Sequence, residues 1–130
     1  MTNGKIRSAR LWLVPLAVSD AEEMVEVLSA AALYTFTGGQ AVGYVQATVV
    51  DGGRQAEIAW VIGVDWQGRG YATEAARALV AWLDSRGVTT IRAHIHPGHA
   101  ASAAVARRAG LAPTGHVGEG EQLWQRDQPG

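Results

Sequence analysis

Apolar residues cluster along the first half of the chain in runs whose spacing predicts three strands. Leu11 to Val18 is an almost continuous apolar run that predicts a strand, and Pro15 places it at a sheet edge or bulge. Ala41 to Val50 and Ala56 to Val64 are rich in β-branched and aromatic residues and predict two more strands. The Asp-Gly-Gly sequence at positions 51–53 predicts a hairpin between these two strands.

Helical spacing of apolar residues predicts three helices. The segment from Ser19 to Glu22 carries a capping-box pattern and begins a predicted helix from about Asp20 to Leu33. Further helices are predicted from about Tyr71 to Arg86 and from Ala100 to Ala109, each followed by a glycine suited to a helix end.

The remaining segments are predicted as a loop and further strands. Tyr34 to Gln40 is predicted as a loop. Thr90 to His96 alternates apolar and polar residues, which predicts a strand with one buried face. One or two strands are expected near the end, around Gly115 to Val117 and Gln122 to Gln125. With no internal repeat or linker, the chain is expected to form one α/β domain over residues 1–130.

Composition narrows the functional classes. The chain has 130 residues, 48% hydrophobic and 18% charged, which is typical of a folded domain. Its formal net charge of -1 supplies no field for holding nucleic acid or an anionic membrane. Without cysteine, disulfides, thiolate nucleophiles and cysteine-ligated zinc are excluded. No apolar run has the length of a membrane span or resembles a signal peptide, so a cytoplasmic protein is expected.

A glycine-rich junction joins the predicted strand ending at Val64 to the helix starting at Tyr71. In the stretch GVDWQGRGYATEAAR, Gly68 and Gly70 stand where a backbone can approach a ligand closely, and the amides that open the helix suit phosphate oxygens. A tight turn would also need such glycines. Thr73 stands where a dinucleotide-binding fingerprint requires glycine, and the Gly-Lys-Ser/Thr of a P-loop is absent. Both interpretations of the junction stay open on these residues alone.

The junction resembles the acyl-CoA signature of the GNAT acyltransferase superfamily. The residues from Gln67 to Ala72, QGRGYA, match the pattern Gln/Arg-x-x-Gly-x-Gly/Ala. AEIAWVIGVDWQGRGYATEAARALVAWL and the later IRAHIHPGHAASAAVARRAGLAPTG resemble the branch containing ribosomal-protein N-terminal acetyltransferases, over roughly Val42 to Gly115. The resemblance implies a mixed, mostly antiparallel sheet flanked by helices. It also implies an N-acetyltransferase that uses acetyl-CoA as co-substrate.

The resemblance implies an acyl-CoA site along the junction. In the family, the amides of the signature loop hold the CoA pyrophosphate, and the preceding strand pairs with the pantetheine arm. His99 stands where the family commonly has an asparagine that contacts CoA, and Arg69 either contacts a phosphate or is solvated. The implied cofactor-binding residues are Ile62, Gly63, Val64, Gln67, Gly68, Arg69, Gly70, Tyr71, Ala72, Thr73, His99 and Ser102.

The catalytic residues are less completely represented. Acetyl transfer to an amine requires a neutral amine, a stabilised oxyanion and a proton for the departing thiolate. By resemblance, Glu57 is the candidate base, with a solvated surface glutamate as the alternative interpretation. Ala106 stands where many family members have a tyrosine that acts as the general acid. The role of general acid is therefore vacant or filled by Ser102 or water.

His94, His96 and His99 are candidate metal ligands. These histidines are close together in sequence, but no carboxylate is nearby along the chain, and His-x-His-Pro recurs in this branch without metal. We therefore expect no metal.

The chain departs from the family upstream of Ala41. Family members usually have a further helix and strand there, whereas this sequence is predicted to lack both, with only Tyr34 to Gln40 between the first helix and the strand. Because that region forms much of the acceptor-pocket wall, two functions remain. One is an acetyltransferase acting on a protein N-terminus or a small-molecule amine; the other is a non-catalytic CoA-binding or dimerisation domain. Apolar surface left by the missing elements predicts a homodimer.

Overall fold

The structure, a computed structural model, describes residues 6–15, 30–37 and 39–127. These residues contain one sheet of eight strands. The strand order is β1-β2-β3-β4-β5-β6-β8-β7. The strands are β1 (Ile6–Arg7), β2 (Trp12–Pro15), β3 (Ala30–Thr37), β4 (Gln40–Val50), β5 (Gln55–Ile62), β6 (Thr90–Ile95), β7 (Ala112–Gly118) and β8 (Glu121–Asp127).

The one parallel pair among the described strands, β5 with β6, is also short. All other neighbours pair antiparallel. The β5–β6 register covers three residue pairs, from Gln55↔Thr90 to Glu57↔Arg92. Both strands continue beyond it, to Ile62 and Ile95. The sheet therefore opens between β5 and β6 beyond Glu57, and we call this opening the splay.

Two helices are described, and both connect elements around the splay. Helix α1 (Tyr71–Ser85) makes the crossover from β5 to β6 that a parallel pair requires. Its buried face consists of Ala75, Ala76, Leu79, Val80 and Leu83. Helix α2 (Ala100–Arg108) follows β6 and buries Val105 and Ala106.

The core lies between these helices and one face of the sheet. Alternate residues of the central strands are buried there, as the period-two spacing predicts: Val45, Ala47, Ala56, Ile58, Ile91, Ala93 and Ile95. The opposite face of β5 and β6 carries Glu57, Ala59, Val61 and His94, which are exposed. No helix in the described ranges is long and apolar enough to cross a membrane.

Most of the predicted elements are confirmed, and within the described residues their boundaries agree with the predicted ones or differ by up to three residues. The Asp51–Gly53 hairpin joins β4 and β5 as expected, with Gly52 and Gly53 at positive φ. The mixed, mostly antiparallel sheet flanked by helices that the resemblance implied is also confirmed. Strand β1 was not predicted.

The prediction for residues 30–40 is wrong. Ala30 to Leu33, predicted as the end of a helix, and most of the predicted loop from Tyr34 to Gln40 form strand β3. This strand pairs with β2 on one side and β4 on the other. Small apolar residues such as Ala30 and Ala31 are compatible with the spacing of a helix and with that of a strand. The segment forms a strand because it pairs with a neighbouring strand on each side.

Strand β3 also occupies the place of the strand that the sequence was expected to lack before Ala41. The capping box at Ser19 to Glu22 and the rest of the first predicted helix lie outside the described residues.

Candidate functional site

The loop between β5 and α1 has the backbone geometry that its glycines predict. Strand β5 ends at Ile62, a short 3-10 turn follows at Val64–Trp66, and α1 begins at Tyr71. Gly68 and Gly70 both lie in the left-handed region, with φ of 78° and 81°, which favours glycine. The amides that open α1 have no acceptor within the helix and are available to an anion.

A cleft of about 500 Å³ extends from this loop to α2. Its walls are the end of β5, the loop with the first turn of α1, and one face of α2 including Arg108. It brings together nine of the predicted cofactor-binding residues: Ile62, Gln67, Gly68, Gly70, Tyr71, Ala72, Thr73, His99 and Ser102.

The other three predicted residues do not line this cleft. Val64 is 83% exposed. The Gly63 N–H donates to the Val42 carbonyl, at 2.8 Å, and so points towards β4. The Arg69 guanidinium lies over the Trp66 ring, 5.4 Å from its centroid.

The open edge of β5 is presented by Trp60 and Ile62. Because Gly63 hydrogen-bonds to β4, the backbone groups of the preceding residue point to the opposite side, into the splay. The Ile62 carbonyl accepts a hydrogen bond from Gln67 Nε2 at 3.0 Å, which ties the loop to the strand end. Trp60 also lines the cleft, and only its place on the predicted strand pointed to this residue.

Residues that precede β2 contact the loop between β5 and α1 and the first turn of α1, and the sequence analysis did not identify them. Arg10 Nη1 donates to the Arg69 carbonyl at 3.0 Å, and the Arg10 guanidinium lies over the Tyr71 ring at 4.5 Å. Arg10 Nε and its backbone N–H both donate to the Glu74 carboxylate at 2.6 Å, and the Ser8 hydroxyl donates to the same group.

The charge of Glu74 is stabilised by this network. Partial burial of the carboxyl raises its pKa, but hydrogen bonds from Ser8 and Arg10 and the positive charge of Arg10 outweigh burial and lower the pKa. Glu74 lies in the first turn of α1, where a negative charge also suits the helix dipole. Arg10 and Glu74 are 64 positions apart, so no local pattern could have indicated their pairing.

Two smaller clefts lie next to the first one and share lining residues along the splay. A splay cleft of about 210 Å³ lies between β5 and β6, and it shares Trp60, His99 and Ser102 with the first cleft. An outer cleft of about 330 Å³ lies on the far side and shares His94 with the splay cleft. The remaining outer-cleft residues are Glu57, His116, Gly118, Glu119, Glu121 and Leu123.

The two candidate catalytic residues line different clefts. Glu57 lines the outer cleft, where its Oε2 lies 3.3 Å from His94 Nδ1. Ser102 lies in the first turn of α2, and it lines both the first cleft and the splay cleft. Ala106 is fully buried, so its position faces the core.

The three neighbouring histidines have separate partners. His96 Nδ1 accepts from the Gly98 N–H at 3.1 Å. His99 caps α2, where its Nδ1 accepts from the Ser102 N–H at 3.2 Å. Within the described ranges, no three His, Cys, Asp or Glu side chains are grouped so that they could hold a metal ion.

The family model of the acetyltransferase (GNAT) domain matches residues 31–112, which is more than half of the chain. No curated protein sequence matches significantly.

Solved structures share the fold. RimL, a ribosomal α-N-protein acetyltransferase, superposes with a TM-score of 0.80 at 18% identity, covering 95% of this chain and 97% of that chain. RimL in complex with coenzyme A superposes with a TM-score of 0.77 at 16% identity, covering 95% and 98%. An acetyltransferase from Agrobacterium tumefaciens gives 0.78 at 23% identity, covering 98% and 96%. The microcin self-immunity acetyltransferase MccE, in complex with acetyl-CoA and AMP, gives 0.72 at 17% identity, covering 92% and 93%.

Proposed function

The chain belongs to the GNAT acetyltransferase family, and from the site we propose that it transfers the acetyl group of acetyl-CoA to a primary amine. The adjacency of the three clefts, which share lining residues, supports this proposal. A donor bound against α1 and α2 reaches the splay from one side of the sheet, and an acceptor in the outer cleft reaches it from the other. Such an arrangement brings two substrates together without a covalent enzyme intermediate.

Several features of the first cleft, which we call the donor cleft, support acetyl-CoA as its ligand. The loop amides and the opening amides of α1 suit the pyrophosphate, and Arg108 on α2 adds a positive charge. Trp60 and Ile62 offer backbone groups and apolar surface to the pantetheine arm. His99 uses Nδ1 to cap α2, which leaves Nε2–H as a donor on the cleft side. RimL and MccE, which share the fold, are known in complexes with CoA and acetyl-CoA.

The acceptor is proposed to be an amine that enters through the outer cleft. Glu57, Glu119 and Glu121 place three carboxylates there, which suits a group that is an ammonium ion before reaction. A protein N-terminus is supported by the likeness to RimL, and a small-molecule amine remains the second possibility. Glu57 and Ser102 are the proposed catalytic residues, as proton acceptor on the acceptor side and hydroxyl donor on the donor side.

A homodimer in the cytoplasm is also proposed. Tyr44 and Val61 are paired across β4 and β5 and are 40% and 47% exposed, which leaves apolar surface on the sheet face opposite α1. Light scattering after size exclusion tests this. A monomer mass at micromolar concentration would contradict the homodimer without affecting the donor site.

Calorimetric titration with acetyl-CoA, followed by a thiol-release assay, tests the function. The acceptor panel comprises an alanyl peptide amide, a seryl peptide amide and benzylamine. We expect saturable acetyl-CoA binding and release of CoA thiol that depends on one of these amines. Absence of binding would contradict the donor site. Binding without thiol release on any amine would favour the non-catalytic CoA-binding domain.

A further inference from the structure

The hydrogen-bond partners of His96 and His99 fix which ring nitrogen has the free lone pair. A neutral imidazole has one N–H and one lone pair. In both side chains Nδ1 accepts a backbone N–H, from Gly98 and from Ser102. Their lone pairs are therefore used, and Nε2 carries the hydrogen. Neither ring presents a proton acceptor to the splay in this state.

His94 has the opposite arrangement. Its Nδ1 lies 3.3 Å from Glu57 Oε2, and a carboxylate beside Nδ1 stabilises a hydrogen on that nitrogen. The lone pair of His94 is then on Nε2. Among these three histidines, His94 alone has a free proton acceptor.

The position of His94 matches this chemistry. His94 is the residue that lines both the splay cleft and the outer cleft. Glu57 lines the outer cleft only, and Ser102 lines the two clefts on the donor side. An amine nitrogen moving from the outer cleft towards the thioester therefore passes the His94 ring.

We propose that His94 Nε2 is the base that removes the proton from the acceptor ammonium, and that Glu57 is a positioning residue that holds His94 in the required tautomer. The proposal rests on the acetyltransferase function above, and it replaces direct proton removal by Glu57. The proton moves from the ammonium nitrogen to His94 Nε2 and then to solvent. The neutral nitrogen forms a bond to the thioester carbon, and the carbon–sulfur bond breaks. The second nitrogen proton ends on the sulfur, which gives an amide and CoA thiol.

Several charged or titratable groups face His94 and affect any pH profile. Three are carboxylates, which attract an ammonium acceptor, while Arg92 opposes them and donates from Nε to Gln125 Oε1 at 3.0 Å. The groups are Glu57 on β5, Arg92 on β6, His96 directly after β6, His99 before α2, His116 on β7, and Glu119 and Glu121 at the β7–β8 turn.

The test compares wild type with His94→Gln and Glu57→Gln, using the panel amine that wild type acetylates fastest. Rates are measured at one pH below and one above the ammonium pKa of that amine, which for a peptide α-amine is about 7.7–8.0. We expect His94→Gln to lower kcat/KM by about 100-fold or more at the lower pH, as loss of a general base does. The defect shrinks to less than about tenfold at the higher pH, where the amine is already neutral. Glu57→Gln shows the same trend with a smaller loss.

His116→Gln is the matched comparison, because it makes the same change on another wall of the outer cleft. We expect this variant to change the KM for the amine, while its kcat/KM depends on pH as that of the wild type does. Equal loss in His94→Gln at both pH values, or no loss, would overturn the role of His94. A wild type that binds acetyl-CoA but acetylates none of the panel amines would overturn the acetyltransferase function itself, and the inference with it. Because that outcome is measured on the wild type alone, it is distinguishable from failure of the proposed role of His94.

Discussion

A side chain introduced at Gly68 would directly disturb the loop between β5 and α1, which we call the donor loop. The φ of Gly68 is 78°, a conformation that favours glycine, so a substitution strains the backbone; a Cβ there would nevertheless clash with no atom, since none lies within 4 Å. A carboxylate at this position would repel the pyrophosphate that the loop amides are proposed to bind.

We expect Gly68→Asp to weaken acetyl-CoA binding by about 10- to 100-fold, because charge-assisted hydrogen bonds are worth about 1.5–3 kcal/mol each. Calorimetry measures the affinity. Gly87→Asp is the control, since Gly87 has a similar φ of 87° and equal space but follows α1 at its far end. Equal affinities in the two variants would mean that the loop is only a turn.

Glu74 links the residues before β2 to the donor loop, and its lowered pKa predicts how stability depends on pH. A carboxylate whose pKa is lower in the folded than in the unfolded state stabilises the fold above its ordinary pKa of 4.5. That contribution is lost as the pH falls below 4.5 through the folded-state pKa.

Glu74→Gln is therefore expected to lower the free energy of unfolding by about 1.5–3 kcal/mol near neutral pH, because hydrogen bonds to a charged group are lost. Urea unfolding at several pH values measures the difference from wild type. The difference should narrow as the pH is lowered below 4.5. A difference that stays constant over that range would show that the charge of Glu74 contributes nothing.

Helix α2 depends on a histidine cap. His99 precedes the helix, and its Nδ1 accepts the N–H of Ser102, one of the amides that lack a partner within the helix. The same side chain lines the donor cleft, so one residue serves the helix and the site.

We expect His99→Ala to lower the free energy of unfolding by about 0.5–2 kcal/mol, the usual effect of losing an N-cap. The variant should also bind acetyl-CoA more weakly. His99→Asn is the matched variant, because an asparagine side chain caps helices well and can still donate a hydrogen bond. Urea unfolding and calorimetry on both variants check this. Equal destabilisation by Ala and Asn would exclude the capping role.

The splay between β5 and β6 determines where the candidate site lies. Strands β5 and β6 pair parallel over three residue pairs and then part, while α1 connects them. The donor loop follows β5 directly, and His94 lies on β6 just past the last paired residue. The divergence thus places the loop, the two helices and the proposed base around one opening.

Ligand binding should stabilise the whole domain. A ligand that binds the folded state alone stabilises it by about 2.7 kcal/mol at 100 times its Kd. For a domain of this size we expect CoA to raise Tm by roughly 5–20 °C at that excess. A thermal-unfolding scan measures the shift.

Pantetheine, which lacks the pyrophosphate, is the control for this experiment. We expect it to raise Tm far less than CoA at the same concentration, because most of the charge-assisted contacts are proposed for the loop and α1. Equal shifts for CoA and pantetheine would place the main binding contacts elsewhere.

Local patterns predicted the elements that are specified by nearby residues. Helix α1 was predicted within one residue, because its apolar face and the glycine after it lie within one short segment. The β4–β5 hairpin followed from Asp-Gly-Gly at positions 51–53. Strand β3 could not be predicted in this way, because Ala30 to Leu33 fit either period and the pairing partners lie elsewhere in the chain.

The sequence by itself determined the donor half of the candidate site. Gly68 and Gly70 stand next to the start of α1, so a strand end, a left-handed turn and free helix amides are specified within about ten residues. The tertiary structure alone decided the rest. Arg10 meets Glu74 from 64 positions away, and His94 meets Glu57 because β5 and β6 are neighbours in the sheet. Contacts between distant segments depend on sheet order and on where paired strands diverge, which no local spacing of residues encodes.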